Sequence, residues 1–310
     1  MTASRAGSPS PSRNISRTRA YVPLPAAAGC PIGHREVPWL PGYEGATPVR
    51  FGNPAADQFQ LDIYGEVLDS LYLCEQAGLD DGAGDVALAS AIVAHLEKMC
   101  ECPDQGIWES RGPPQGFTYS KVMAWVGIDR FLKLAQIREI PSAAGSYRLK
   151  RLQAELHAKI CRDGFNAARS SFVQSFGSEV LDASLLLLPL VGFLPINDTR
   201  ITGTIAAIER ELVEDGLVRR WSRADGPDEG TFIACTCWLA DCLEMQRRTA
   251  EARAYFERVL ALRNDVGLLS EEWHVRQRRM MGNFPQALSH LALINTALRL
   301  CGPVLQRGRE

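Results

Sequence analysis

Residues 55–76 read Ala-Ala-Asp-Gln-Phe-Gln-Leu-Asp-Ile-Tyr-Gly-Glu-Val-Leu-Asp-Ser-Leu-Tyr-Leu-Cys-Glu-Gln. Phe59, Ile63, Val67 and Leu71 recur every fourth position, the period of one face of an α-helix, and Gly78 ends the run. The same pattern returns between short Gly/Pro breaks, predicting helices over 85–99, 120–134, 146–161, 182–190, 198–214, 231–244, 249–262 and 285–300. Strand signals are weak. Few β-branched runs alternate, and no Asn-Gly or Asp-Gly turn is read between two such runs. The chain is therefore all-α.

About nine helices suit a toroid or solenoid better than a four-helix bundle. No fixed-length motif recurs, which disfavours a repeat array. Polarity favours the toroid. Helices at 55–76, 120–134 and 231–244 are rich in small and apolar residues around most of their circumference. Those at 85–99, 146–161 and 249–262 carry one charged face, with Glu155, Lys159, Glu251, Arg253 and Glu257 expected outward. Such alternation is what an inner ring wrapped by an outer ring produces, with function on the loops entering the inner helices.

At 310 residues the chain fits one large domain or two ordinary ones, and 46% hydrophobic with 23% charged residues matches a globular core. Lys+Arg at 34 against Asp+Glu at 36 gives a net charge of -2, which points to neither nucleic acid nor an acidic membrane. The longest apolar run, 183–194, contains Pro189 and falls short of the roughly 20 residues that span a bilayer. Nine cysteines, two pairs of them spaced C-x-C, and scattered histidines read as free thiols in a reducing, cytoplasmic compartment, with no metal site and no cofactor. Residues 1–36, rich in Ser, Pro and Arg, are expected to be a disordered or non-native tail, 37–302 the folded domain and 303–310 a second tail.

Two short runs carry the chemistry: Gly106-Ile107-Trp108-Glu109-Ser110-Arg111-Gly112 and Leu269-Ser270-Glu271-Glu272-Trp273. Each sets a carboxylate beside an indole. A carboxyl held against an apolar ring loses water, which favours its neutral form. The ring also offers a flat face to a sugar. One neutral acid facing one ionised carboxylate is the equipment of glycosidic-bond hydrolysis. Trp-Glu neighbours at helix ends also serve as plain packing anchors.

From Pro38 onward the chain resembles glycoside hydrolase family fifteen, the glucoamylase, glucodextranase and bacterial trehalase group. The resemblance rests on Trp39-Leu40-Pro41-Gly42-Tyr43, Pro48-Val49-Arg50-Phe51-Gly52-Asn53, Gln60-Leu61-Asp62-Ile63-Tyr64-Gly65-Glu66-Val67 and Gly106-Ile107-Trp108-Glu109. It continues through Ser120-Lys121-Val122-Met123-Ala124-Trp125, Asp182-Ala183-Ser184-Leu185, Glu229-Gly230-Thr231-Phe232, Ser270-Glu271-Glu272-Trp273 and Gly282-Asn283-Phe284-Pro285-Gln286-Ala287. The resemblance implies an (α/α)6 barrel and inverting hydrolysis of α-glucosidic bonds. Short α-glucans are the first expectation and trehalose the second. A catalytically inactive sugar-binding or interaction remnant is the reading from a different class.

In that reading Glu109 matches the general acid and Glu271 the general base, with their carboxyls roughly 6.5–9.5 Å apart to admit a water. Trp108, Arg111, Lys121, Trp125, Arg220, Trp221, Glu229 and Glu272 are the expected substrate-binding residues. Lys121 and Trp125, one turn apart, are expected to face the cavity together. Glu272 competes with Glu271 for the base role and, as its chain neighbour, is expected to point elsewhere.

The chain departs from the family at its start. The Arg-x-Trp-Asp and Trp-Leu-Arg-Asp runs of the first barrel helix are not found, so the barrel is expected to be incomplete by its first helix pair. Residues 1–35 as a mis-started reading of a longer gene, a partner chain completing the barrel, or a decayed paralogue are the three expected explanations. The expected substrate is a small α-glucoside or oligosaccharide, with no nucleic-acid or membrane partner.

Overall fold

A computed structural model of the chain describes residues 35–42, 45, 47–79, 83–139, 143–222 and 229–302. It separates into two compact units that part between Phe59 and Gln60. In the first unit β1 (Arg35–Val37) pairs antiparallel with β2 (Val49–Phe51), Arg35 opposite Phe51. Arg35 and Glu36 thus lie in a strand and not in the expected tail. The rest of both tails lies outside the described residues. The helix expected over 55–76 is split. Asn53 accepts the Ala55 N–H at 3.0 Å and caps a 3-10 turn, Pro54–Asp57, which ends on extended Gln58. α1 (Asp62–Gln76) begins afresh in the second unit.

The second unit holds all the long helices: α2 (Ala83–Met99), α3 (Thr118–Ile137), α4 (Ala143–Asp163), the short α5 (Leu187–Leu190), α6 (Thr199–Glu211), α7 (Ile233–Met245), α8 (Thr249–Leu260) and α9 (Ala287–Cys301). α1 and α3 cross closely. A Cβ at Gly65 would stand 2.1 Å from the Met123 carbonyl oxygen, and one at Gly127 2.6 Å from Leu96 and 3.5 Å from the Gly65 Cα. Only glycine fits there, because the obstacle at Gly65 is backbone and backbone yields little.

The inner and outer roles hold for most helices. Thr118 through Ala124 of α3 and Ile233 through Leu243 of α7 are buried without interruption. Glu155, Glu251, Arg253 and Glu257 stand exposed on α4 and α8. α1 departs from its expected inner role, burying only Asp62, Gly65 and Leu68, because one face alone packs on α3. α9 buries only Ser289, Ala292 and Thr296 and leaves Leu288, Leu291, Ile294 and Leu298 exposed, Leu291 at 58%. The fold is an all-α toroid.

Short β-ladders stitch the helix entries together. β3 (Phe165–Asn166) pairs with β4 (Ser171–Phe172), and β5 (Val213–Glu214) with β6 (Leu217–Val218). The β5–β6 turn corrects one expectation. Asp215 and Gly216 both take positive φ, 49° and 73°, in an Asp-Gly hairpin turn. It escapes a sequence reading because its strands are two residues long and show no alternation. β7 (Thr231–Phe232), β8 (Glu272–His274) and β9 (Arg279–Met281) form a three-stranded sheet at the head of α7, with Phe232 opposite Glu272. No described helix is long and apolar enough to cross a membrane. The eight described cysteines are free thiols, four of them buried.

Candidate active site

The first acid sits on a strained turn. Glu109 has φ 52°, the left-handed region that a side chain enters only when its surroundings compel it. Its N–H donates to the Gly106 carbonyl at 3.1 Å, and the Ser110 N–H to that of Gln105 at 3.0 Å. Buried Asp104 anchors the turn from below, its Oδ2 accepting the N–H groups of Gly106 and Leu61, each at 3.1 Å. Asp104 also exchanges backbone hydrogen bonds with Gln115, closing the loop that carries Trp108 and Glu109.

Trp108 turns its indole N–H to Asp182, 2.9 Å from Oδ1 and 3.0 Å from Oδ2. Its ring lies edge-on to Phe232 at 5.1 Å and to Trp221 at 6.4 Å, and tilted to Trp238 at 6.0 Å. Above these rings spreads the Arg220 guanidinium, 4.7 Å from Trp221, 5.2 Å from Phe232 and 5.5 Å from Trp108. Arg220 bonds to Glu229 and comes within 4.0 Å of Glu272. Trp108, Arg220, Trp221, Glu229 and Glu272, drawn from three separate segments, form one network.

The second acid lies next to it. Phe232 pairs with Glu272, and the Ile233 N–H donates to the Glu271 carbonyl at 3.1 Å. Both donor groups of Asn283, its backbone N–H and its side-chain amide, meet Glu271 Oε2 at 3.0 Å. Gly282, at φ 70°, gives them room; a Cβ there would stand 2.7 Å from Oε2. Glu272 has partners of its own. It accepts the Gly230 N–H at 3.1 Å. Burial first, and the charge of Glu271 next to it, push the Glu272 carboxyl up, while Arg220 and the Gly230 N–H pull the other way.

Three expected residues stand apart from this network. Arg111 is exposed on the loop after Glu109. Lys121 is buried with its amine on the Cys102 carbonyl, and burial lowers its pKa. Trp125 packs against Phe193 at 5.3 Å and His157 at 5.9 Å. One helical turn separates the two on α3, yet each finds its partner on a different neighbouring segment. Sequence reasoning missed Asp104, Asp182 and Asn283. The last two stood in quoted runs, but an Asp before an apolar helix reads as a cap, which Asp182 also is: its Oδ1 accepts the Ser184 N–H at 2.8 Å.

The comparisons concern the family and the fold. The model of glycosyl hydrolases family 15 matches residues 26–298. The trehalase of Mycobacterium tuberculosis is 42% identical over 270 residues, which is 86% of this chain and 39% of that protein. The trehalase of Thermoplasma acidophilum is 40% identical over 269 residues, 86% of this chain and 46% of that one. The chain spans less than half the length of these relatives. Among solved structures a wild-type glycosidase superposes with a TM-score of 0.69 at 24% identity, covering 84% of this chain and 74% of the other. The glucoamylase of Hormoconis resinae superposes at 0.62 and 13% identity, over 81% and 54%; both likenesses concern the fold. The chain belongs to glycosyl hydrolase family 15.

Proposed function

We propose that this chain carries the site for inverting hydrolysis of an α-glucosidic bond, with trehalose as substrate. The observation that supports it best is the joining of both acidic runs through one aromatic floor. Trp108, next to Glu109, lies 5.1 Å from Phe232, whose strand partner Glu272 adjoins Glu271. The trehalases among the relatives favour trehalose over a short α-glucan.

Glu109 donates its proton to the leaving-group oxygen as the bond breaks. Glu271 removes a proton from a water that attacks the anomeric carbon from the opposite face. Asn283 fixes Oε2 as a hydrogen-bond acceptor, leaving Oε1 to meet that water. Arg220 and Glu229, with Trp108 and Trp221 beneath, offer hydroxyl partners and a flat face to the glucose ring. Glu272 holds the Gly230 turn that delivers Glu229, and Arg111 lies on the rim. Lys121 and Trp125 serve better as scaffold. The exposed α9 stripe supports a further helical segment or a partner chain over that face in the active protein.

Purified chain supplied with trehalose, maltose or maltotriose is followed by proton NMR. Inversion of trehalose releases one α-glucose and one β-glucose in the first turnover, before mutarotation. Two α-glucoses would reject the mechanism. Faster release from maltose than from trehalose would return the substrate to the glucan class, and no release from folded protein would favour a non-catalytic sugar-binding role.

A further inference from the structure

Asp182 is nearly fully buried, at 1% exposure, and no cation among the described residues is hydrogen-bonded to it. Three N–H groups serve its carboxylate instead. The Trp108 indole spans both oxygens, Gln174 Nε2 meets Oδ2 at 2.8 Å, and the Ser184 N–H meets Oδ1. The same residue joins two chain segments. It bridges to Trp221, and its neighbour Ala183 donates to the Arg220 carbonyl at 2.7 Å. Asp182 therefore sits where the segments bearing Trp108, Arg220 and Trp221 meet.

We propose that Asp182 is a positioning residue for this site: its carboxylate holds the Trp108 indole, and through it the Glu109 turn, in working register. The inference rests on the hydrolase reading above. A buried acid satisfied by uncharged donors costs desolvation that a surface cap does not, so a cap at the start of a short 3-10 turn does not account for it. Aiming the indole does. The N–H fixes the ring plane, Glu109 follows Trp108 directly, and the strained φ of Glu109 leaves its carboxyl little freedom once the ring is set. A carboxylate on the indole N–H also enriches the ring in electron density, which strengthens its hold on the Arg220 cation.

Asp182→Asn separates positioning from capping. Asparagine still caps Ser184 through its oxygen, while its amide sets a donor against the donors of Gln174 and Trp108. The first readout needs no turnover. The Trp108 indole proton, assigned by its loss in Trp108→Phe, should move upfield in Asp182→Asn in a ¹H–¹⁵N spectrum of the full chain. In the second, kcat on trehalose should fall about 10- to 100-fold with KM nearly unchanged. The double variant with Trp108→Phe should be no slower than the slower single variant. An unmoved indole resonance, or losses that multiply in the double variant, would overturn the proposal. If the unaltered chain releases no sugar, the hydrolase reading fails, and the indole resonance alone still tells whether Asp182 holds Trp108. Should Asp182→Asn not fold by circular dichroism, Gln174→Leu strips one donor from the same carboxylate. The same pattern is then expected at smaller amplitude, and an unmoved resonance counts against the proposal.

Discussion

The two acid-bearing loops are held by different devices. At Glu271 the carboxylate itself is gripped by two donors of one residue, Asn283, the two residues flanking the paired strands β8 and β9. At Glu109 the surroundings are held: Asp104 grips the backbone before it, the residue itself takes a positive φ, and Asp182 grips the neighbouring ring. A base that must aim at one water gains from a fixed oxygen. An acid that must meet a departing oxygen gains from a turn fixed in place.

The largest expected effects cut each loop at its acid. Glu109→Gln and Glu271→Gln should each lower kcat on trehalose by about 10²- to 10⁴-fold. They should then diverge on α-glucosyl fluoride, whose leaving group needs no proton. Glu109→Gln should retain much of the activity there and Glu271→Gln almost none; equal losses would merge the two roles. With trehalose, Glu109→Gln should also remove the basic limb of the kcat/KM pH profile.

Next comes Gly282→Ala. The added methyl meets Glu271 Oε2 at 2.7 Å in a left-handed backbone, so kcat should drop about 10- to 100-fold through misaligned carboxylate. The matching change in the other loop, Gly106→Ala, presses first on the Phe117 ring, 2.9 Å from the added methyl. It should appear first as lost stability, on the order of 1–3 kcal/mol in a denaturant titration. Removing the grip without adding bulk, Asn283→Ala, should cost about tenfold in kcat, read against the same assay.

The smallest effect on turnover is expected at Asp62, beneath the Glu109 loop. Burial, with the charge of Asp104 next, pushes its carboxyl up to about 7 from 3.8. The folded state then binds this proton more tightly than the unfolded chain. At low pH both states hold it and nothing is lost. As pH rises from about 4 to about 7 the unfolded chain alone releases it, so folding weakens across that window by roughly a few kcal/mol. Asp62→Asn should flatten this decline and stabilise the protein above pH 7, measured as ΔG of urea unfolding at each pH. A decline of unchanged slope would show that Asp62 keeps no proton.

Much of this was legible in order along the chain. Helical spacing located α2 through α4 and α6 through α9 to within a few residues, because a long amphipathic period outlasts local noise. The break at Gln58 was not legible. Phe59 continues the period of Ile63, Val67 and Leu71, and only the Asn53 cap with Pro54 shows that a separate turn intervenes. The Glu109 and Glu271 runs stood out as carboxylates beside indoles. Asp182 and Asn283 did not, since a buried acid and a surface amide spell the same letters until their partners are seen.

The sequence by itself determined the helical class and the membership of both acids in recognisable runs. Those properties are local, set by period, composition and short motifs. Tertiary structure decided which residues meet. It drew Arg220, Glu229 and Glu272 around Trp108, and sent Lys121 and Trp125 to different partners. Such pairings depend on how helices of fixed shape pack face to face, and a short polar side chain reaches only what packing places within about 3 Å of it.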